Sequence, residues 1–154
     1  KTGISYVCVE NGGIVGTFVF FTGEDPTYRV IENGEWHSDR EPYGVIHRVA
    51  SNGVTKGVTR AAFSYGLERS GYVRIDTHED NKPMQGALKK FGFRECGVIH
   101  LERGAERIAF DCRKEWLLKK YGTALRYRKL EREEDSILGK LSECVLTGMS
   151  DFHI

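Results

Sequence analysis

His47 lies in the run Tyr43-Gly44-Val45-Ile46-His47-Arg48-Val49-Ala50, which leads directly into Ser51-Asn52-Gly53-Val54-Thr55-Lys56 and then Gly57. Imidazole is the side chain best suited to take a proton near neutral pH. The first eight residues read as a strand ending at Ala50, and the residues from about Gly57 read as a helix. A turn between a strand and a helix presents backbone N–H groups with no intrahelical partner. The helix dipole adds partial positive charge at the same place. Together they suit an anion, phosphate best of all. Gly53 and Gly57 would let it approach the backbone closely, and Lys56 adds a mobile cation. The plainer reading is an ordinary strand–helix turn. For His47 it is a structural histidine with a satisfied hydrogen bond.

Tyr43 shares strand parity with His47 and could shape a ligand pocket or donate a proton, or simply be a core aromatic. Asp76, His78, Glu79 and Asp80 cluster at the end of a later strand-like run. Ligands favour the carboxyl ends of strands in open sheets, so this cluster could receive a cationic amine. It could equally be a polar loop with acids at a helix start. His78 and Asp80 specify no third ligand, so no metal site is read there. Trp36, Glu32 and Glu35 could line a ligand pocket or belong to an exposed hairpin.

These residues need elements to position them. Ile4–Glu10 alternates, Ile14–Phe21 is rich in β-branched and aromatic residues, and with Asn11-Gly12-Gly13 between them they read as a hairpin. Residues 22–43 carry breakers at Gly23, Pro26, Asn33-Gly34 and Pro42, with a minor hairpin of Tyr28–Ile31 and Glu35-Trp36 around Asn33-Gly34. Val58, Ala61, Ala62, Tyr65 and Leu67 form a helical stripe that Ser70-Gly71 ends. Tyr72–Thr77 is a strand. Asn81–Phe91 is a helix with Pro83 in its first turn and Gly92 as its stop. Arg94–Leu101 and Arg107–Cys112 are strands joined by a glycine turn. Glu115–Tyr121 is a short helix, Leu125–Leu130 alternates like a strand, and Glu133–Leu146 has helical spacing. The expectation is one domain over 1–154, with a main body of 1–112 and a tail of 113–154, in a mixed α/β (α+β) layer architecture.

Bulk properties exclude several classes. The chain has 154 residues, 40% hydrophobic and 29% charged, with a net charge of +1. No basic field speaks for nucleic acid, and no apolar run approaches a membrane span. Cys8, Cys96, Cys112 and Cys144 are scattered, with no C-x-x-C spacing. A reducing, cytoplasmic setting is the expectation.

The order of these elements resembles the acetyl-CoA-dependent N-acetyltransferases of the GNAT superfamily. The likeness rests on "HRVASNGVTKGVTRAAF" and "RIDTHEDNKPMQGALKKFGFRECGVI" and covers roughly residues 4–112. The family's Gln/Arg-x-x-Gly-x-Gly/Ala turn falls on Val54-Thr55-Lys56-Gly57-Val58-Thr59, where only Gly57 matches. Backbone binding of a pyrophosphate tolerates that departure; help from the first side chain does not. The family's helix-opening Asn and its closing Gly-Phe fall on Asn81 and Gly92-Phe93. The resemblance implies that Asn81 contacts pantetheine or the reacting centre, though Asn is also a good N-cap. The family often has a Tyr acid four residues before that Gly; here the position is Leu88.

The resemblance further implies a mostly antiparallel sheet flanked by helices. In it the strand before the turn splays from its neighbour, and cofactor amides run along Val49, Ala50 and Ser51, with the Val49 N–H near the acetyl oxygen. His47, two residues before Val49, is expected on the same face. The same offset carries a base-type His in the serotonin N-acetyltransferase branch. The implied activity is acetyl transfer from acetyl-CoA, with no metal, to a primary amine on a small molecule or protein, by direct attack on the thioester. The alternatives are an acyl-CoA-binding module that has lost catalysis and an interaction domain without cofactor.

Relatives of this kind open with a strand and helix that this sequence lacks at its start. "LRYRKLEREEDSILGKLSE", Leu125–Glu143, looks like that opening. The tail is therefore expected to complete the sheet, in its own chain or, by strand exchange, in a homodimer, because sheet edges are usually covered.

Overall fold

The computed structural model describes residues 4–121. The expected strand at 125–130 and helix at 133–146 lie outside them. Ile4–Glu10 (β1) and Gly13–Thr22 (β2) form the expected hairpin. Gly44–Ser51 (β3), Val58–Ser70 (α1), Tyr72–Thr77 (β4), Lys82–Phe91 (α2), Arg94–His100 (β5), Glu106–Arg113 (β6) and Lys114–Tyr121 (α3) follow. The expected boundaries of these elements hold to within a residue or two.

The strands make one sheet in the order β1-β2-β3-β4-β6-β5. Every neighbouring pair is antiparallel except β3 and β4. That parallel pair registers at only two positions, Gly44 with Val73 and Val45 with Arg74. Beyond Val45 the two strands separate.

Side-chain alternation divides the core in two. On one face Phe18, Phe20, Ile46, Val73, Ile75 and Phe110 pack under α1 and α2 through Val58, Phe63, Leu67 and Leu88. Phe63 ties these layers together, with ring centroids 5.3 Å from Phe91 and 4.9 Å from Phe93. On the other face Val45, Cys96, Ile99 and Ala109 pack against Tyr28 and Trp36. The long excursion between β2 and β3 covers this second face in place of a helix.

That excursion differs from the expected minor hairpin. Pro26–Tyr28 forms a short 3-10 helix, capped by the Asp25 carboxylate accepting the Thr27 N–H at 2.9 Å. Proline at the first helical position favours this turn over a strand. Glu32 then bridges Val98 of β5 through two backbone hydrogen bonds of 2.8 Å. The segment passes so close to β5 that a Cβ at Gly34 would collide with the Cys96 carbonyl. Trp36 is not exposed and does not line the cleft described below. It is buried and donates its indole N–H to the Tyr28 carbonyl at 3.0 Å.

Phe63→Ala should remove the aromatic link between α1, α2 and the residue that precedes β5. The expected loss is about 3–5 kcal/mol, read from the midpoint of denaturant unfolding.

Candidate active site

The separation of β3 from β4 opens a cleft of about 860 Å³. Ile46, His47, Arg48 and Val49 line it from β3, and Ile75, Asp76, Thr77 and His78 from β4. Asn81, Met84, Leu101 and Arg107 also reach it. Residues of both sheet faces contribute, so the cleft passes through the plane of the sheet. Along its β3 wall, backbone groups past Val45 have no strand partner on the β4 side.

A bulge shapes that wall. Thr17 pairs with Ala50 but Val19 pairs with His47, so β3 carries one extra residue between them. Arg48 takes a left-handed φ of 52° there. An inserted residue reverses side-chain parity across it. The expected shared face of His47 and Val49 is therefore corrected. Val49 packs with the helix-side core, while His47 faces the excursion on the other side, near Tyr28 and Phe21.

His47 is held between two carboxylates. Its Nε2 lies 2.8 Å from Asp25 Oδ2, and its Nδ1 lies 3.6 Å from Asp76 Oδ1. Tyr28 donates its hydroxyl to Asp76 Oδ1 at 2.6 Å, and the Arg107 Nε stands 3.7 Å from Asp76 Oδ2. Burial works to raise the Asp25 pKa. Hydrogen bonds from the His47 ring and from Thr27 outweigh it and hold the carboxyl below its ordinary 3.8. Asp25, Tyr28, Asp76 and Arg107 thus orient one imidazole at the throat of the cleft. Asp25, Tyr28 and Arg107 carried no signal in the sequence, because their spacing from His47 is set only by the excursion and by the register of β6.

Tyr43 does not line the cleft. Its hydroxyl accepts the Asp25 N–H at 3.1 Å, and its ring stacks under the Arg74 guanidinium at 4.1 Å. Its part is to place Asp25. Of the polar cluster, Asp76 and His78 reach the cleft, whereas Glu79 uses its carbonyl to accept from Gln85.

The turn after β3 is tied by its own side chains. Asn52 Oδ1 accepts from Val54 and Thr55 at 3.0 and 2.8 Å, and Ser51 Oγ accepts from Gly53 at 3.3 Å. The start of α1 is different. Gly57 sits there with φ 93°, and no side chain caps the helix. The Gly53 N–H is held by Ser51, whereas no side chain closes the start of α1. Val54, 83% exposed, offers no polar group. Asn81 both lines the cleft and caps α2, accepting the Met84 N–H at 3.2 Å. Leu88, at the position of the expected acid, is fully buried.

A mostly antiparallel six-stranded sheet, splayed at its one parallel pair and flanked by helices, is the fold of the GNAT-superfamily acetyltransferases. A GNAT-family acetyltransferase from Streptococcus agalactiae 2603 is 32% identical with a TM-score of 0.61; the match covers 70% of this chain and 64% of that one. The Bacillus subtilis N-acetyltransferase YlbP in complex with coenzyme A is 9% identical (TM-score 0.52), over 73% of this chain and 69% of that one. The aminoglycoside acetyltransferase AAC(6')-Ib in complex with coenzyme A and kanamycin is 16% identical (TM-score 0.54), over 77% and 70%. The chain therefore spans just under two thirds of the length of the streptococcal structure. No family model matches the sequence, and no curated protein sequence matches it.

A carboxyl whose pKa is lowered by folding stabilises the fold above its unfolded pKa, and that stability drains away as pH falls through the lower folded value. Asp25→Asn should therefore reduce stability near neutral pH by about 1–3 kcal/mol. It should also flatten the stability–pH curve below about pH 4. Thermal melts across a pH series would check both.

Proposed function

We propose that this protein transfers an acetyl group from acetyl-CoA to a primary amine. The observation that carries this is the imidazole of His47, held by Asp25 and Asp76 in the cleft that opens where β3 leaves β4, on the strand that leads into the uncapped start of α1. Similarity to acetyltransferases, including structures holding coenzyme A, supports the same reading.

In this reading the amides of Gly57, Val58 and Thr59 take the pyrophosphate, with Thr55 and Lys56 beside it. The open edge of β3 at Val49, Ala50 and Ser51 receives the amide-bearing arm, which extends toward Asn81. Asp25 holds the His47 Nε2–H, leaving Nδ1 as the acceptor. The amine approaches from the excursion side, where Asp76 favours a cationic group, and gives a proton to His47, directly or through one water. Its nitrogen attacks the thioester carbonyl, and a β3 amide stabilises the oxygen as it becomes an oxyanion. The carbon–sulfur bond then breaks, and the thiolate leaves into a cleft open to water, where it takes up the second proton lost by the amine nitrogen.

Leu88 motivates a second reading, an acyl-CoA-binding module without turnover. A buried leucine cannot donate a proton to the leaving thiolate. Thiol release with a panel of amines separates the two readings.

Gly57→Asp should weaken acetyl-CoA binding at least tenfold more than Gly57→Ala, which shares the backbone strain but adds no negative charge. Calorimetry measures the difference. Equal losses in the two variants would remove the phosphate assignment.

His47→Gln should leave acetyl-CoA affinity in place and lower kcat by at least about tenfold. It should also erase the acidic limb of the pH–rate profile, since a base must be unprotonated to work. Turnover with that limb intact would remove His47 from the mechanism.

A further inference from the structure

A second cluster lies across the sheet from α1 and α2, outside the residues that line the cleft. His37 Nδ1, Cys96 Sγ and Asp111 Oδ1 all lie within 4.8 Å of one another. The imidazole nitrogen is 2.7 Å from the carboxylate oxygen and 3.5 Å from the sulfur. In sequence these residues are far apart, and no ligand spacing announces them. Three features of the fold bring them together.

First, β5 carries a bulge at Cys96. Glu95 pairs with Phe110 and Gly97 with Ala109, so Cys96 is the inserted residue. A bulge re-aims a side chain, and here the thiol reaches the site. Gly97, with φ 152° and the Glu32 carbonyl against it, makes room for the crossing segment. Second, the Glu32–Val98 bridge fixes that segment on β5 and delivers His37 five residues later. Third, Asp111 is fully buried, and its other oxygen is already held. The Tyr72 hydroxyl donates to Oδ2 at 2.7 Å and the His37 backbone N–H at 2.9 Å. Such outer hydrogen bonds are what orient a ligating carboxylate.

The arrangement is not a nucleophile relay. A thiol–imidazole–carboxylate relay places thiol and carboxylate on different ring nitrogens. Here both face Nδ1. Burial also pushes the Cys96 thiol well above its ordinary range, so Cys96 is a poor nucleophile as it stands. Three donors converging on one point suit a central cation instead.

We propose that His37, Cys96 and Asp111 form a binding site for one divalent transition-metal cation of the zinc class. Thiolate, imidazole and carboxylate together select such an ion over magnesium or calcium. Bonds of about 2.0–2.3 Å in a tetrahedron place donors roughly 3.3–3.7 Å apart. The sulfur–nitrogen separation is already of that size, and the nitrogen–oxygen separation must open by roughly half an ångström. On binding, Cys96 releases its proton to solvent and His37 binds through Nδ1 with its proton on Nε2. The fourth position falls to water on the open side of His37, whose side chain is 34% exposed.

Nearby cations do not oppose this. Arg113 is paired with Glu41 at 2.9 Å and Glu115 at 3.3 Å, and Arg74 has Asp39 at 3.8 Å. Thiolate and carboxylate neutralise the divalent charge. The bound ion would tie the β2–β3 excursion to β5 and β6, so it should stabilise the protein.

The test uses the full chain, reduced and freed of metal by chelation, with cobalt(II) and then zinc(II) as probes. One equivalent of cobalt should bring up a thiolate-to-cobalt charge-transfer band, zinc should bleach it, and either ion should raise the melting temperature. Cys96→Ser should abolish the band, while Cys144→Ser should leave it unchanged. His37→Gln, changed at the exposed side of the site, should weaken zinc binding at least tenfold; this variant decides the matter if Cys96→Ser fails to fold. Absence of the band in the wild-type protein, its survival in Cys96→Ser, or undiminished zinc affinity in His37→Gln would overturn the proposal.

Discussion

The separation of β3 from β4 after only two paired positions is the constraint on which the rest depends. Backbone N–H and C=O groups cannot be buried without partners. Once β3 leaves β4, its inner edge must therefore face water or a ligand, and the cleft is the consequence. The gap passes through the sheet, so helix-side and excursion-side residues meet in one space. His47 lines that cleft, and its strand runs on into the uncapped start of α1. A β3 paired to its full length would close that space.

The second face of the sheet depends on buried charge. Asp25, Arg74 and Asp111 are all buried, and an isolated buried charge is costly. Each is paired with the β2–β3 excursion or placed by it. Asp25 meets His47, Arg74 donates to the Ser38 carbonyl and stacks on Trp36 and Tyr43, and Asp111 holds His37. Such pairs add less net stability than their number suggests, because desolvation offsets much of the attraction. Their effect is positional. The excursion has little regular structure, so these ties, with Tyr28 and Trp36 as apolar anchors, decide where it lies.

Asn81 shows how one residue serves both fold and site. Its side chain caps α2 by accepting the Met84 N–H, and it also reaches the cleft. The start of α1 lacks such a cap. A helix start closed by its own side chain has fewer unpaired amides than one without such a cap.

The regular elements were legible in the sequence because their signals are local. Alternation marked β1, β-branched and aromatic runs and glycine turns marked other strands, a helical stripe and Gly71 marked α1, and Asn81, Pro83 and Gly92 bounded α2. The turn at Gly57 and the strand carrying His47 were legible for the same reason. Tertiary structure alone decided the rest. The bulge at Arg48 turned His47 to the opposite face from Val49, because one inserted residue reverses parity and only the pairing with β2 reveals it. The excursion became a packed cover rather than a hairpin, because Asp25 and Pro26 favour a 3-10 turn and the contacts that hold it come from β3 to β6. The partners of His47 and the meeting of His37, Cys96 and Asp111 were invisible for the same reason. Their proximity arises from strand register and a long crossing, and neither leaves a periodic trace along the chain.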